Sequence, residues 1–301
     1  MSGFTKVIIL GAGAIGSYYG YMLSRKMDVL LIGRQRHIDA IKSRGLELTG
    51  AIDGVFDLDV STEIRGNLGD SLIILTTKAY DIEKTINKIR GVLRSNTTIL
   101  VLQNGLGNED LVQALVGPEV DVIRGLVSTG VEFLSPGRIE VKLVRDTVLP
   151  KTAKSEKIER LFTSCGLQVR LSERMDTEIW RKLTMNCVIN PLSALFCMPS
   201  TEIAVDGLRE VRKSIVDECI RVAEREGVNL DGDLEGEISR AAASYSNLSS
   251  MCQDIMKGRK TEIDFLNGKI SELGRRHKVP TPVNDVFILL IQFMRARYIA
   301  M

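Results

Sequence analysis

The 301-residue chain sets 40 basic against 38 acidic side chains, for a net charge of +2. That balance argues against a nucleic-acid binder, whose affinity would come from a concentrated basic face, and no run of like charge forms a polybasic or acidic tail. Hydrophobic residues at 44% and charged residues at 26% are an ordinary globular mix, long enough for one large domain or two ordinary ones.

In chain order, Met1 to Lys6 leads straight into a strand pattern with no apolar signal core and cleavage site. Val7 to Leu10 is a buried-strand run, Gly11 to Gly16 a glycine-rich turn, Ile15 to Arg25 a helical pattern and Val29 to Ile32 a second strand. Leu72 to Thr76 and Thr98 to Leu102 repeat the theme, each followed by a helix-like segment. Strands alternating with helices imply a parallel sheet, because parallel strands need crossover connections. Val127 to Val148, with the turn Ser135-Pro136-Gly137, is expected to finish that sheet with shorter strands. After about Leu171 the periodicity becomes helical over Met175 to Ile189, Leu208 to Glu226, Glu262 to Arg276 and Val283 to Tyr298. Asn190-Pro191, Gly227 and Thr281-Pro282 are helix boundary signals.

The longest apolar stretch, Val286 to Met294 broken by Gln292, falls far short of the ~20 residues that cross a bilayer, so it predicts a buried helix. It could serve a homodimer as well as a core. Five cysteines (Cys165, Cys187, Cys197, Cys219 and Cys252) without any CxxC pair are expected to be reduced, buried thiols of a cytoplasmic protein. With only His37 and His277 available, no His-rich metal site is expected.

Gly11-Ala12-Gly13-Ala14-Ile15-Gly16 is GxGxxG placed between a strand and a helix. Gly11 permits the tight turn, Gly13 the close approach of a pyrophosphate, and Gly16 close helix–strand packing. The helix N-terminus then holds the phosphates. The resulting expectation is an α/β, Rossmann-type dinucleotide-binding domain over 1–172, followed by an all-α substrate and catalytic domain over 173–301. An NAD enzyme usually carries Asp or Glu at the end of the second strand. Here Gly33 is followed by Arg34, with Arg36 two residues on. A guanidinium there suits the 2′-phosphate of NADPH, although both arginines also read as solvated loop residues.

Two other strand ends carry polar residues, Lys78 after Thr76-Thr77 and Asn104 in Gln103-Asn104-Gly105. Ligands of doubly wound sheets sit outside such ends, but Asn-Gly equally serves a turn. In the helical half, Lys182, Asn186 and Asn190 fall four apart and share a face, at about 0°, 40° and 80° around a helix. Apolar residues occupy most of the remaining circumference, so this helix is expected to be buried and its lysine to face a cleft; a snorkelling lysine is the alternative. Ser250 and Gln253 fit a capping box, so Ser250 could simply start a helix. Thr261 reads as a cap and Glu262 as a first-turn acid complementing a helix dipole.

Together these segments resemble the ketopantoate reductase family (2-dehydropantoate 2-reductases) over almost the whole chain. The anchors are GAGAIGS at Gly11 to Ser17, TTKAYD at Thr76 to Asp81 and QNGLGNED at Gln103 to Asp110. In the second half they are WRKLTMNCVINPLSAL at Trp180 to Leu195, NLSSMCQDI at Asn247 to Ile255, TEIDFLNG at Thr261 to Gly268 and VPTPVND at Val279 to Asp285. The resemblance implies NADPH-dependent reduction of 2-dehydropantoate (ketopantoate) to (R)-pantoate in pantothenate and coenzyme A biosynthesis. It implies Lys182 as general acid, with Glu262 binding the substrate hydroxyl and organising that lysine. It places Asn104 beside the nicotinamide, Lys78 at the neighbouring strand end and Arg34 at the 2′-phosphate. Asn186, Asn190, Asn247 and Ser250 become substrate-side polar residues, with Ser250 at the carboxylate.

The chemistry fits these residue types on its own terms. Hydride transfer to a ketone builds negative charge on oxygen, so a proton donor must stand there. Neither histidine lies in a polar constellation of the sequence, and a lysine serves when burial lowers its pKa toward the working pH. Competing readings are a reductase of another 2-oxo acid, a hydroxyacyl dehydrogenase and a non-catalytic NADP(H) sensor, which would need no proton donor.

Overall fold

The structure, a computed structural model, describes residues 3–64, 68–244 and 246–299. Met1 and Ser2 of the predicted N-terminal strand approach lie outside them. The chain divides into two compact units, Met1–Gln103 with Gly107–Met175, and Asn104–Leu106 with Asp176–Met301.

The first unit runs β1 (Lys6–Leu10), α1 (Ala14–Ser24), β2 (Val29–Ile32), α2 (Gln35–Arg44), β3 (Leu46–Gly50), β4 (Gly54–Phe56), β5 (Asp59–Ser61) and β6 (Ser71–Leu75). It continues through α3 (Ile82–Ile89), β7 (Thr98–Val101), α4 (Asn108–Val116), β8 (Asp121–Arg124), β9 (Leu126–Val127) and β10 (Gly130–Ser135). It closes with β11 (Arg138–Leu143), β12 (Thr147–Pro150), α5 (Ala153–Ser164) and β13 (Val169–Ser172). Six strands form one parallel sheet in the order β5-β2-β1-β6-β7-β8. This is the doubly wound arrangement, in which the order reverses between β1 and β6. Every residue of β6 and β7 is buried, as expected of strands covered on both faces.

The segment expected to finish this sheet does not. β10 and β11 instead join β3 and β4 in a separate four-stranded sheet, and β12 lies between β9 and β13 in a three-stranded one. The reason is the β3–β4 hairpin, whose β3 offers β11 a parallel partner from Glu47↔Arg138 to Gly50↔Val141. His37 of α2 braces this arrangement. Its Nδ1 accepts from Gly137 N at 2.8 Å in the β10–β11 turn, and its Nε2 faces Ser17 Oγ of α1 at 3.1 Å.

The second unit contains α6 (Met175–Phe196), α7 (Ser200–Ile203), α8 (Arg209–Arg225), α9 (Leu234–Ala243), α10 (Ser250–Met256), α11 (Asn267–His277) and α12 (Pro282–Ile299). Its core gathers Trp180, Leu183, Val188, Ile215, Cys219, Ile270 and Ile291 among others. Arg212 is buried there, donating to the Ile203 and Val205 carbonyls and to Glu235 at 2.6–2.8 Å.

Four expectations change. Asn190-Pro191 does not end a helix, because α6 runs through it to Phe196. The predicted helix over Glu262 to Arg276 starts late: its first residues form a 3₁₀ turn, Ile263–Phe265, and the α-helix, α11, begins at Asn267 after Leu266. The Val286–Met294 stretch is only half buried: Phe287 and Ile291 enter the core, while Val286, Leu289, Leu290 and Phe293 are exposed, since a helix packs one face at a time. Cys197 is exposed rather than buried, in a left-handed conformation (φ 51°) that turns the chain out of α6. Among the described residues, no helix is long and apolar enough to cross a membrane.

Candidate active site

The glycine turn has the geometry its spacing predicts. Gly11 sits at φ 119°, and a Cβ there would lie 2.5 Å from Thr77 N. A Cβ on Gly16 would lie 2.6 Å from Thr76 Oγ1 and closer still to the Gly11 carbonyl. Both positions therefore demand glycine, so that α1 can pack against the ends of β1 and β6. Gly13 is different. A Cβ there would meet nothing within 4 Å, so its backbone faces open space. It caps α1 with no side-chain hydrogen bond, and Ala14 and Ile15 open a first turn free of acids. An uncapped helix N-terminus beside open backbone is a ready anion cradle. Ala12 N, next to it, is tied to Ile32 O at 2.9 Å.

Arg34 follows β2, occupies the N-cap of α2 and is 86% exposed, with one guanidinium nitrogen 3.9 Å from Asp81. Arg36 is exposed too. Lys78, half-buried, follows β6 at the start of a 3₁₀ turn, Ala79–Asp81. Asn104 follows β7 in sequence but clusters with the second unit. There Gly105, at φ 101°, lies so close to Phe265 that a Cβ would come within 2.6 Å of its carbonyl oxygen.

In the second unit Lys182, Asn186 and Asn190 lie four apart on α6; the first two are half-buried and Asn190 is buried. Asn190, Ser250 and Glu262 line one small recess with Met251, Asp254 and Leu266. Lys182 and Asn186 lie on α6 two turns and one turn before Asn190, respectively, and are not among its lining residues. Asn247 is not among them either; its carbonyl accepts from Ser200 N at 3.1 Å, which holds the loop before α10.

Two bland readings of these residues fall. Ser250 does not cap α10. The cap is Ser249, whose hydroxyl accepts from Cys252 N at 3.1 Å, leaving exposed Ser250 as the first helical residue. Glu262 is not a first-turn acid of an α-helix. It stands before the 3₁₀ turn, makes no capping bond, and is only 7% exposed at the recess.

The chain matches the family described as ketopantoate reductase PanE/ApbA over residues 7–154, and its C-terminal part over residues 174–295. It belongs to the ketopantoate reductase family. A 2-dehydropantoate 2-reductase of Pyrococcus horikoshii is 35% identical over 295 residues, covering 95% of this chain and 96% of that one. The crystal structure of a PanE/ApbA family ketopantoate reductase from Ralstonia eutropha JMP134 superposes with a TM-score of 0.90 at 31% identity, covering 97% of this chain and 99% of that chain. D-Mandelate dehydrogenase, solved with NADH and anilino(oxo)acetate, also superposes at 0.90, with 29% identity and the same coverage.

The family's nicotinamide cofactor fits the residues present. Gly13 and the uncapped α1 offer the phosphate cradle, and Arg34 offers an exposed guanidinium at the end of β2. At the ends of β6 and β7, buried Gln103 donates to Thr77 Oγ1 at 3.3 Å. Its own carbonyl oxygen has no hydrogen-bond partner among the described residues, so an acceptor waits there for a donor.

Sequence patterning alone misses Asp254, a buried carboxylate of the recess, and a buried chain of Glu218, Asn284 and Asn267. Asp254 carries no signal beyond its place in the NLSSMCQDI segment. The other three had one: a proline inside a helical pattern strips a donor from the carbonyl four residues back, and something must replace it.

Proposed function

We propose that this chain reduces ketopantoate to (R)-pantoate with NADPH, Lys182 acting as general acid. The observation that carries the reading is the recess shared by Asn190, Ser250 and Glu262, from three separate elements, beside the α6 face that bears Lys182. Bound NADPH supplies the hydride. Lys182 gives its proton to the ketone oxygen as charge develops there. Glu262 accepts a hydrogen bond from the substrate hydroxyl and orients that ammonium. Ser250, released from capping duty, donates to the substrate carboxylate with Asn247 nearby, and Asn186 and Asn190 line up the remaining polar groups. Gly11 to Gly16, Arg34, Lys78 and Asn104 hold the cofactor. Residues 1–172 then serve as the cofactor domain and 173–301 as the substrate domain.

The test is NADPH and NADH consumption with ketopantoate and a panel of other 2-oxo acids. Ketopantoate should give the highest kcat/KM, and a clear preference for another acid would overturn the reading. The likeness to D-mandelate dehydrogenase supports one rival, a reductase of aromatic 2-oxo acids using NADH. Arg34, where an NAD enzyme carries an acid, favours NADPH. We place the enzyme in the cytoplasm as a homodimer joined through Val286, Leu289, Leu290 and Phe293, an exposed apolar stripe on α12. A monomeric mass by light scattering at micromolar concentration would remove that partner.

A further inference from the structure

Pro191 lies inside α6 and has no N–H, so it cannot serve the carbonyl of Cys187 four residues back. That carbonyl belongs to the turn between Asn186 and Asn190. It is served instead from outside the helix, by Asn267 Nδ2 at 3.0 Å. Asn267 is the first residue of α11 and fully buried. Its second amide hydrogen goes to Asn284 Oδ1 at 2.9 Å, and Asn284 Nδ2 donates in turn to Glu218 Oε2 at 2.7 Å. The two Glu218 oxygens also accept from Val283 N at 2.9 Å and Asn284 N at 3.0 Å, so this buried carboxylate of α8 closes the first turn of α12. The order of donors is forced. A carboxylate only accepts, so Asn284 must turn its nitrogen to Glu218 and its oxygen to Asn267. Asn267 must then offer its nitrogen both to Asn284 and to the Cys187 carbonyl.

Asn267 is also five residues from Glu262, joined to it by the 3₁₀ turn and Leu266. One amide therefore fixes the Glu262-bearing turn to the middle of the Lys182–Asn186–Asn190 row. The opposite wall is registered on the same helix. Ser249 Oγ, beside Ser250, donates to Asn190 O at 3.2 Å, and Ser249 N donates to Ser193 Oγ at 3.0 Å. We infer that Asn267, backed by Asn284 and Glu218, is a positioning residue for the reaction. It replaces the donor lost at Pro191, and so sets Glu262 in register with the polar row of α6. This rests on the reading of these residues as the substrate site.

The test is a double-mutant cycle of Asn267→Leu and Pro191→Ala, read as kcat/KM for ketopantoate on folded protein. Asn267→Leu keeps the size but removes both donors. It should cost about tenfold or more, since displacements of about 1 Å reach 10²-fold. Pro191→Ala restores a backbone donor to the Cys187 carbonyl, so in that background Asn267→Leu should cost less than about threefold. Equal losses in the two backgrounds would overturn the inference, because Asn267 would then act only as packing. If Asn267→Leu alone does not fold, the double variant should; a double variant equally unfolded overturns it too. A wild-type chain without ketopantoate turnover would instead sink the functional reading on which this rests, which is a separate result.

Discussion

Mild acid should destabilise the first unit through one side chain. His37 is 4% exposed, and burial lowers its pKa to about 4 from an ordinary 6.5. Its Nδ1 accepts from Gly137 N, so the folded state holds the neutral tautomer with its proton on Nε2 toward Ser17. Phe133 lies against the ring at 5.0 Å between centroids, and burial is what disfavours the charged form. The unfolded chain therefore binds the extra proton first. Stability contributed by the neutral ring is complete above pH 6.5, falls as the pH drops through that value, and is fully lost below about 4. At 1.36 kcal/mol per pKa unit, linkage gives a loss of roughly 2 kcal/mol at pH 5. Urea unfolding at pH 7.5 and 5.0 measures it, for wild type and for His37→Gln, which retains a donor and an acceptor but does not titrate. The near-ultraviolet circular dichroism of the buried Tyr18–Tyr19–Phe162 cluster reports this unit, whereas the single tryptophan, Trp180, reports the other. Wild type should lose about 1 M more in urea midpoint than the variant, for a slope of about 2 kcal/mol/M. Identical losses in the two proteins would mean that His37 is not held neutral as described.

Arg34→Ala should raise the Michaelis constant for NADPH and leave NADH little changed; equal effects on both cofactors would remove the guanidinium from its phosphate role. Lys182→Ala should fold and bind NADPH while losing about 10²–10⁴-fold in kcat. A loss smaller than about tenfold would assign the proton to another donor. Glu262→Gln should weaken ketopantoate use, and the double variant with Lys182→Ala should be much less impaired than the product of the singles; multiplicative losses would separate the two residues.

The first half was legible because its code is local. Alternating apolar runs and helical patterns announced the parallel sheet, and GxGxxG fixed the turn down to the two positions that no side chain can enter. Contacts distant in sequence were not legible. Nothing around Val127 to Val148 says that β11 will choose β3 rather than the main sheet. Pro191 reads as a helix stop to any local rule, and only Asn267, far along the chain, supplies the donor that lets α6 continue. The same limit applied to the recess. Ser250 and Glu262 looked like ordinary helix-start residues, and the structure removed those duties by giving the cap to Ser249 and ending the turn at Phe265. Periodicity placed Lys182, Asn186 and Asn190 on one face directly, because all three lie on a single helix.

Asn104–Leu106 belongs to the second unit although it is flanked on both sides by the first. Gene dissection at residue 172 would therefore not yield a complete helical fragment. The excised piece would lack the peptide that fills the surface beside Phe265 and the leucine that packs on its core. During synthesis this tripeptide leaves the ribosome well before any of its partners exist. Its ordering must wait for the C-terminal half, so the first unit should emerge with the connection from β7 to α4 the last part to settle. A permuted chain that opens at residue 172 should keep the tripeptide and fold; a fragment that starts there should need it supplied as a peptide.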